Sequence, residues 1–145
     1  MPPKRNVAVD ISNRIVDDQL AGVLRGYFAR VGATAKARAQ QIIAEEVTDR
    51  SGKLISSTNF ELHVEGGTVW LEFYNDAGEY ALFQHEGTGI YGPNKRPIRP
   101  KKGKYLSWID QDTGKRVFAK EVRGTPAKKF LTRAIDFALE KENRR

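Results

Sequence analysis

The chain has 145 residues, of which 39% are hydrophobic and 30% are charged, and its formal net charge is +7. A chain of this length predicts a single domain over residues 1–145 that buries enough surface to fold without staples. The absence of cysteine excludes disulfides, thiolate metal sites and cysteine catalysis.

The first predicted elements are a short strand and a long helix. Apolar and polar residues alternate from 7 to 11, which predicts the strand. Asp17 and Asp18 suit a helix start, and apolar residues then recur at steps of three and four as far as Val47. Because this periodicity continues without a break across Gly32, it predicts a continuous or slightly kinked helix through that residue. Two helices that meet at Gly32 are the alternative. Such a helix would be about 45 Å long, so we expect it to overhang onto a neighbouring subunit.

A β-hairpin is the clearest local pattern in the chain. Apolar residues alternate with polar ones from 60 to 64 and from 69 to 73, and a Gly-Gly turn lies between them. Trp70 and Tyr74 fall on the opposite face of this hairpin. Two exposed aromatic rings there predict a covering layer or a partner, so these residues are a candidate subunit interface. Burial of both rings inside the chain is the alternative.

A short helix and a basic loop follow. Residues 80–84 suit a helix that Gly87 stops, and residues 87–104 predict an extended loop because their prolines remove amide donors. Six basic residues and no acidic residue lie within 95–104, so the segment carries six of the seven units of net charge. They are Lys95, Arg96, Arg99, Lys101, Lys102 and Lys104. The loop is either an ordinary solvated surface or an arm that binds phosphate or carboxylate groups.

A second hairpin and a last helix complete the prediction. Residues 105–109 and 116–122 look like strands around a polar turn. Thr125 followed by Pro126 predicts a helix start, and residues 141–145 predict a frayed tail. The predicted fold class is α+β, in which a small antiparallel sheet of hairpins is packed by a long N-terminal helix and a C-terminal helix.

No residue pattern is specific for catalysis or for a cofactor. Gly87, Gly89 and Gly92 match G-x-G-x-x-G, but a helix precedes them and a proline-rich loop follows, unlike a dinucleotide site. His85 and the next residue resemble the start of a zinc-protease motif that lacks its second histidine. His63 is the other histidine, so a zinc site of the usual kind would need added carboxylates. We therefore expect that the protein is not an enzyme and that it has no cofactor and no metal site.

Three segments taken together resemble one family. Residues 48–57, Thr-Asp-Arg-Ser-Gly-Lys-Leu-Ile-Ser-Ser, resemble a T-G-x-L-x-x-S turn that follows a long helix. Residues 80–88, Tyr-Ala-Leu-Phe-Gln-His-Glu-Gly-Thr, resemble a Y-A-x-x-x-E-x-G-T signature. Residues 126–134, Pro-Ala-Lys-Lys-Phe-Leu-Thr-Arg-Ala, resemble the P-x-x-F-L-x-x-A start of a last helix. This ordered triple resembles the tail-component family of long-tailed bacteriophages, the neck or tail-completion (head–tail joining) proteins.

The resemblance spans roughly residues 34–138 and assigns a set of motif residues. They are Gly52, Leu54, Tyr80, Glu86, Gly87, Thr88, Pro126, Phe130, Leu131 and Ala134. The chain departs from the family at position 51, where serine replaces the common threonine, and no proline precedes that turn. The segment 89–123 is the least similar part, so the family says least about the basic loop.

The resemblance implies a structural virion protein of a siphophage. Such a protein is a homo-oligomer, usually a hexameric ring, at the junction of the head connector and the tail tube. The implied partners are connector or head-completion proteins and tail-tube or tail-terminator proteins, with passing contact with genomic DNA. The implied location is the neck or tail of the virion after assembly in the host cytoplasm, without catalysis or cofactor. We favour docking of the basic loop on acidic protein surfaces, because tight DNA binding would hinder passage of the genome.

A second function remains open from the residues alone. A small nucleic-acid-binding α+β domain could use the basic loop at 95–104, and its binding would depend strongly on salt. Neither function involves a membrane, because no apolar run in the sequence approaches the roughly 18 residues that span a bilayer. The first six residues also lack the apolar segment of a signal peptide. We therefore expect a soluble protein that is made inside the cell.

Overall fold

A computed structural model describes residues 7–14, 18–48, 51–65 and 68–144 and confirms the predicted α+β class. In chain order the elements are β1 (Val7–Arg14), α1 (Asp18–Glu46), α2 (Lys53–Ser56), β2 (Thr58–Glu65), β3 (Thr68–Asn75), α3 (Glu79–Glu86), a 3₁₀ turn (Gly89–Tyr91), β4 (Leu106–Ile109), β5 (Arg116–Ala119) and α4 (Phe130–Asn143). Within these residues, no helix combines the length and the apolar character needed to cross a membrane.

The main sheet has three antiparallel strands in the order β1-β3-β2. Its central strand, β3, completely buries Val69, Leu71 and Phe73 on one face. The predicted hairpin of β2 and β3 is confirmed, and its last described pair is Glu65 opposite Thr68. The predicted Gly-Gly turn lies outside the described residues. The apolar alternation therefore fixes both the pairing register and the face that meets the core.

Two helices cover this apolar face. α1 continues through Gly32 as one helix of 29 residues, as the sequence predicts, and α4 packs along it. Buried side chains of both helices join those of β3 in one hydrophobic cluster. Arg133 of α4 donates two hydrogen bonds to the Glu46 carboxylate at the end of α1, at 2.7 and 2.9 Å. These bonds lower the pKa of the Glu46 carboxyl. The ion pair of Arg133 and Glu46 also links the end of α1 to the start of α4.

Gly32 lies where α1 packs closely against the sheet. A Cβ atom at this position would lie 2.4 Å from the ring of Phe60, which belongs to β2. The missing side chain therefore lets the helix approach the sheet closely enough for the aromatic ring to cover its backbone.

The first turns of α1 extend past the core. The predicted apolar face of this helix is buried from residue 28 onward, but Leu20 is exposed and Val23 is 68% exposed. The α1 start at Asp18 agrees with the prediction, while Asp17 lies outside the described residues. An exposed apolar helix end of this kind is available for contact with another molecule.

One prediction near the C-terminus is wrong. The last helix begins at Phe130 and not at Thr125 or Pro126, because the amides of Thr125, Lys128 and Lys129 donate to residues in the segment 84–88. Residues 141–143 are helical, and the buried Glu142 accepts a bond of 3.2 Å from Arg30 of α1, while fraying of the tail stays a prediction. Residue 145 of the predicted tail lies outside the described residues.

We predict that Gly32→Ala lowers the free energy of unfolding by about 1–3 kcal/mol, because the new methyl group overlaps the Phe60 ring. Gly22→Ala in the same helix is the matched control, because a Cβ there meets no atom within 4 Å. The control should raise stability by up to about 1 kcal/mol through helix propensity alone. Urea unfolding of both variants measures the difference. Equal stabilisation by the two substitutions would contradict the close packing of α1 on β2.

Candidate interaction site

A projecting arm is the most unusual part of the molecule. We call residues 93–122 the arm, and the two segments that carry it, 84–92 and 123–129, the arm base. The structure describes every residue from 93 to 129, and none of them is buried. A quarter of the chain is therefore ordered without contributing to the hydrophobic core.

The arm ends in the predicted second hairpin, which is confirmed as β4 paired antiparallel with β5. Trp108 is 40% exposed and pairs across the strands with Val117. Phe118, which lies on the other face of the hairpin, is 64% exposed. Tyr105 and Ile109 also expose more than half of their surface. An isolated two-stranded hairpin is marginally stable in water, so apolar side chains on both faces suit a contact with another molecule.

The predicted extended loop, residues 87–104, forms the end of the first arm-base segment and the first part of the arm. It is irregular apart from the 3₁₀ turn at Gly89–Tyr91 in the arm base, which the sequence did not predict. Ile98 and Val122 exchange backbone hydrogen bonds of 2.8 and 2.9 Å, and this pairing closes the arm near its root. The arm is thus held by backbone pairing at two places, the Ile98–Val122 bridge and the β4–β5 hairpin, and is not a free loop.

Backbone hydrogen bonds hold the arm base together. The amide of Thr88 donates to the carbonyl of Thr125 at 2.9 Å, and the amide of Thr125 donates to Oγ1 of Thr88 at 2.8 Å. The amides of Lys128 and Lys129 donate to carbonyls in the last turn of α3, each at 3.0 Å. These bonds satisfy carbonyls that a helix end leaves without partners. They also explain why residues 125–129 stay outside the last helix despite their helix-start sequence.

Two glycines allow the segments of the arm base to lie in close contact. Gly89 and Gly124 both have positive φ angles, of 61° and 100°. A Cβ on Gly89 would lie 2.0 Å from the carbonyl oxygen of Arg123, and one on Gly124 would lie 2.2 Å from that of Thr88. Gly89, one of the three glycines of the G-x-G-x-x-G match, therefore allows close backbone contact within the arm base.

An ionic cluster lies next to the contact between the two arm-base segments. Lys129 forms an ion pair with Glu86, and the hydrogen bond lowers the pKa of the Glu86 carboxyl. Nδ1 of His85 lies 3.0 Å from the other Glu86 oxygen, and the buried imidazole packs edge-on against Phe130. Burial lowers the pKa of His85 despite the neighbouring carboxylate.

The six predicted basic residues are not equivalent. Arg96, Arg99 and Lys101 line a groove of about 1010 Å³ together with the exposed side chains of Leu82 and Phe83 and with Glu86. Arg99 donates to Glu121 at 3.1 Å, whereas the other five show no ion pair to any residue that the structure describes. Lys95, Lys102 and Lys104 lie outside the groove lining. The groove therefore combines apolar side chains with three cationic ones.

The motif residues of the family resemblance have structural roles. Leu54 of α2 is completely buried, and its carbonyl accepts a 2.7 Å bond from the buried Asn75. The hydroxyl of Tyr80 donates to the carbonyl of Thr48, which connects the first motif to the second. Phe130, Leu131 and Ala134 are completely buried in α4. The three motifs thus meet along α3 and the arm base.

The candidate interface of Trp70 and Tyr74 differs from its prediction. Tyr74 is only 5% exposed, and its hydroxyl donates to Glu61 of the neighbouring strand at 3.0 Å. Trp70 is half-buried and stacks on His63 with ring centroids 5.0 Å apart. The expectation of two exposed rings is wrong, because cross-strand neighbours cover them. The role of this sheet face in subunit contact stays a prediction.

We predict that the free energy of unfolding falls as the pH falls below 6.5, the ordinary pKa of histidine, in part because of His85. Below that pH the unfolded chain binds a proton that the buried imidazole does not yet accept, so protonation favours unfolding. His85→Gln should make this dependence shallower in urea unfolding at pH 7.5 and 5.5. A pH dependence identical to that of the wild type would contradict the burial effect.

Comparison of the chain with models of known protein families, with curated proteins and with solved structures finds no match. Two of the quoted motifs also fit only with a displacement of one residue. His85 stands where the second motif has glutamate, and Pro126 lies four residues before Phe130 instead of three. The family resemblance therefore stays a prediction.

Proposed function

We propose that the protein is a structural virion subunit that forms a ring at the head–tail junction of a siphophage. The proposal rests on the arm, a segment without a buried residue that presents large apolar side chains from a hydrogen-bonded base. Such surface costs free energy in water, so it suits a chain that completes its packing in an assembly.

A closed ring needs two different faces on each subunit. The hairpin of the arm supplies one apolar surface, with Trp108 on one side of the hairpin and Phe118 on the other. The exposed start of α1, with Leu20 and Val23, supplies a second apolar face on the body of the molecule. Contact of one subunit's arm with the α1 start of the next would bury both, which supports a head-to-tail arrangement.

The basic groove supports docking on acidic protein neighbours. Its lining mixes cationic and apolar side chains, and this mixture suits a protein segment that carries both carboxylates and apolar side chains. The implied neighbours are connector or head-completion proteins on one side and tail-tube or tail-terminator proteins on the other. The virion neck remains the proposed location.

We predict that Trp108→Ser combined with Phe118→Ser raises the dissociation constant of the homo-oligomer at least tenfold, because both rings lose their contact in the assembly. Phe137→Ser is the matched control, since this ring is similarly exposed but lies on α4. Light scattering after size exclusion at several concentrations measures the effect. A wild-type protein that stays monomeric at all concentrations, or equal effects of the arm and control variants, would contradict the proposal.

We predict that the wild-type protein gives no DNA mobility shift at physiological salt. Charge reversal at Lys95, Lys102 and Lys104 tests the alternative of a nucleic-acid-binding domain, since these residues lie outside the groove. A wild-type shift that weakens steeply between two salt concentrations and disappears on charge reversal would favour that alternative.

A further inference from the structure

The outer face of the sheet brings together three metal-binding side chains. Glu61 and His63 are separated by one residue on β2, so both side chains lie on the same face. Glu72 of β3 lies directly opposite Glu61 in the register and therefore shares that face. One potential ligand atom from each residue lies within 4.8 Å of the other two.

The distances in this cluster suit a shared cation better than direct hydrogen bonds. Nε2 of His63 lies 3.6 Å from a Glu61 oxygen and 3.7 Å from a Glu72 oxygen. Ligand atoms around a tetrahedral zinc ion are about 3.4 Å apart, given metal–ligand bonds of about 2.0–2.1 Å. The two distances from His63 lie within a few tenths of an ångström of this value, and the carboxylate oxygens of Glu61 and Glu72 lie within 4.8 Å of each other.

The imidazole supplies the second, independent indication. Nε2 of His63 is buried and makes no hydrogen bond, although buried ring nitrogens usually have a partner. The Glu72 side chain beside it is only 8% exposed. A buried nitrogen aimed at two carboxylate oxygens without a hydrogen bond is the arrangement that a metal ion completes.

Neighbouring side chains hold the donor groups in place. The Tyr74 hydroxyl donates to Oε1 of Glu61 at 3.0 Å, which leaves Oε2 directed toward His63. Trp70 stacks on the imidazole with an interplanar angle of 22°. Contacts of this kind fix the orientation of ligands around a metal before it binds.

The register also concentrates negative charge at this point. Asp10 of β1 lies opposite Glu72, which lies opposite Glu61, so three carboxylates occupy one row across the sheet. Like charges directly opposite each other destabilise a sheet. A bound divalent cation would offset this repulsion, because it supplies two positive charges next to the central carboxylate.

We propose that Glu61, His63 and Glu72 bind a divalent transition-metal ion, with Zn²⁺ as the best fit. A nitrogen ligand together with carboxylates favours Zn²⁺ over Mg²⁺ and Ca²⁺, which prefer oxygen ligands alone. Three protein ligands leave at least one coordination position for water or for a side chain of another molecule. The site does not depend on the proposed function, since it lies within a single chain.

Trp70 provides the readout for a Zn²⁺ titration of the full chain. In a Trp108→Phe background, Trp70 is the only remaining tryptophan, so its fluorescence reports on the stacked imidazole. We expect a saturable change on adding Zn²⁺ that EDTA reverses and that Mg²⁺ at the same concentration does not produce. His63→Gln and Glu72→Gln should each weaken the apparent affinity at least tenfold.

Glu65→Gln is the matched control, because this carboxylate lies on the same strand and face but outside the cluster. It should leave the titration unchanged. Circular dichroism confirms that each variant is folded, and Zn²⁺ should raise the melting temperature of the wild type and of the control alone. No fluorescence or melting response to Zn²⁺, or a response that survives His63→Gln, would overturn the proposal.

Discussion

The close contact of two backbone segments at the arm base determines where the candidate interaction surface lies. At Gly89 and Gly124 the two segments run so close together that neither position has room for a Cβ atom. Hydrogen bonds between Thr88 and Thr125 hold the segments together, and the completely buried Phe130 begins α4 shortly after them. The core therefore determines where the arm leaves the body, although no arm residue is buried in that core.

This arrangement separates stability from interaction. Folding is supported by the packing of α1 and α4 on the central strand, while the apolar hairpin and the basic groove remain exposed. A surface of that kind would be a liability on a lone monomer and is useful on a subunit that joins others. The carboxylate row on the outer sheet face has the buried Glu72 at its centre, and its chemistry favours a cation.

Local pattern was enough to predict the hairpin of β2 and β3, the continuity of α1 and the second hairpin, because each depends on nearby alternation or periodicity. The start of α4 was not predictable in this way. Thr125 and Pro126 form a good local helix start, but the amide of Thr125 bonds to Thr88, far away in the sequence. The burial of Tyr74 and the contact of Glu72 with His63 depend on how side chains pack across neighbouring strands, which residue spacing along one strand does not show.

In the proposed ring, the hairpin of the arm is covered by another copy of the chain. Amide hydrogen exchange of residues 105–122 at several protein concentrations separates this contact from the hydrogen bonds within the hairpin, because only the contact depends on concentration. We expect faster exchange in the dilute monomer and strong protection when the oligomer forms, with little change in β3. Exchange of the arm that is equally fast in monomer and oligomer would show that no second copy covers it.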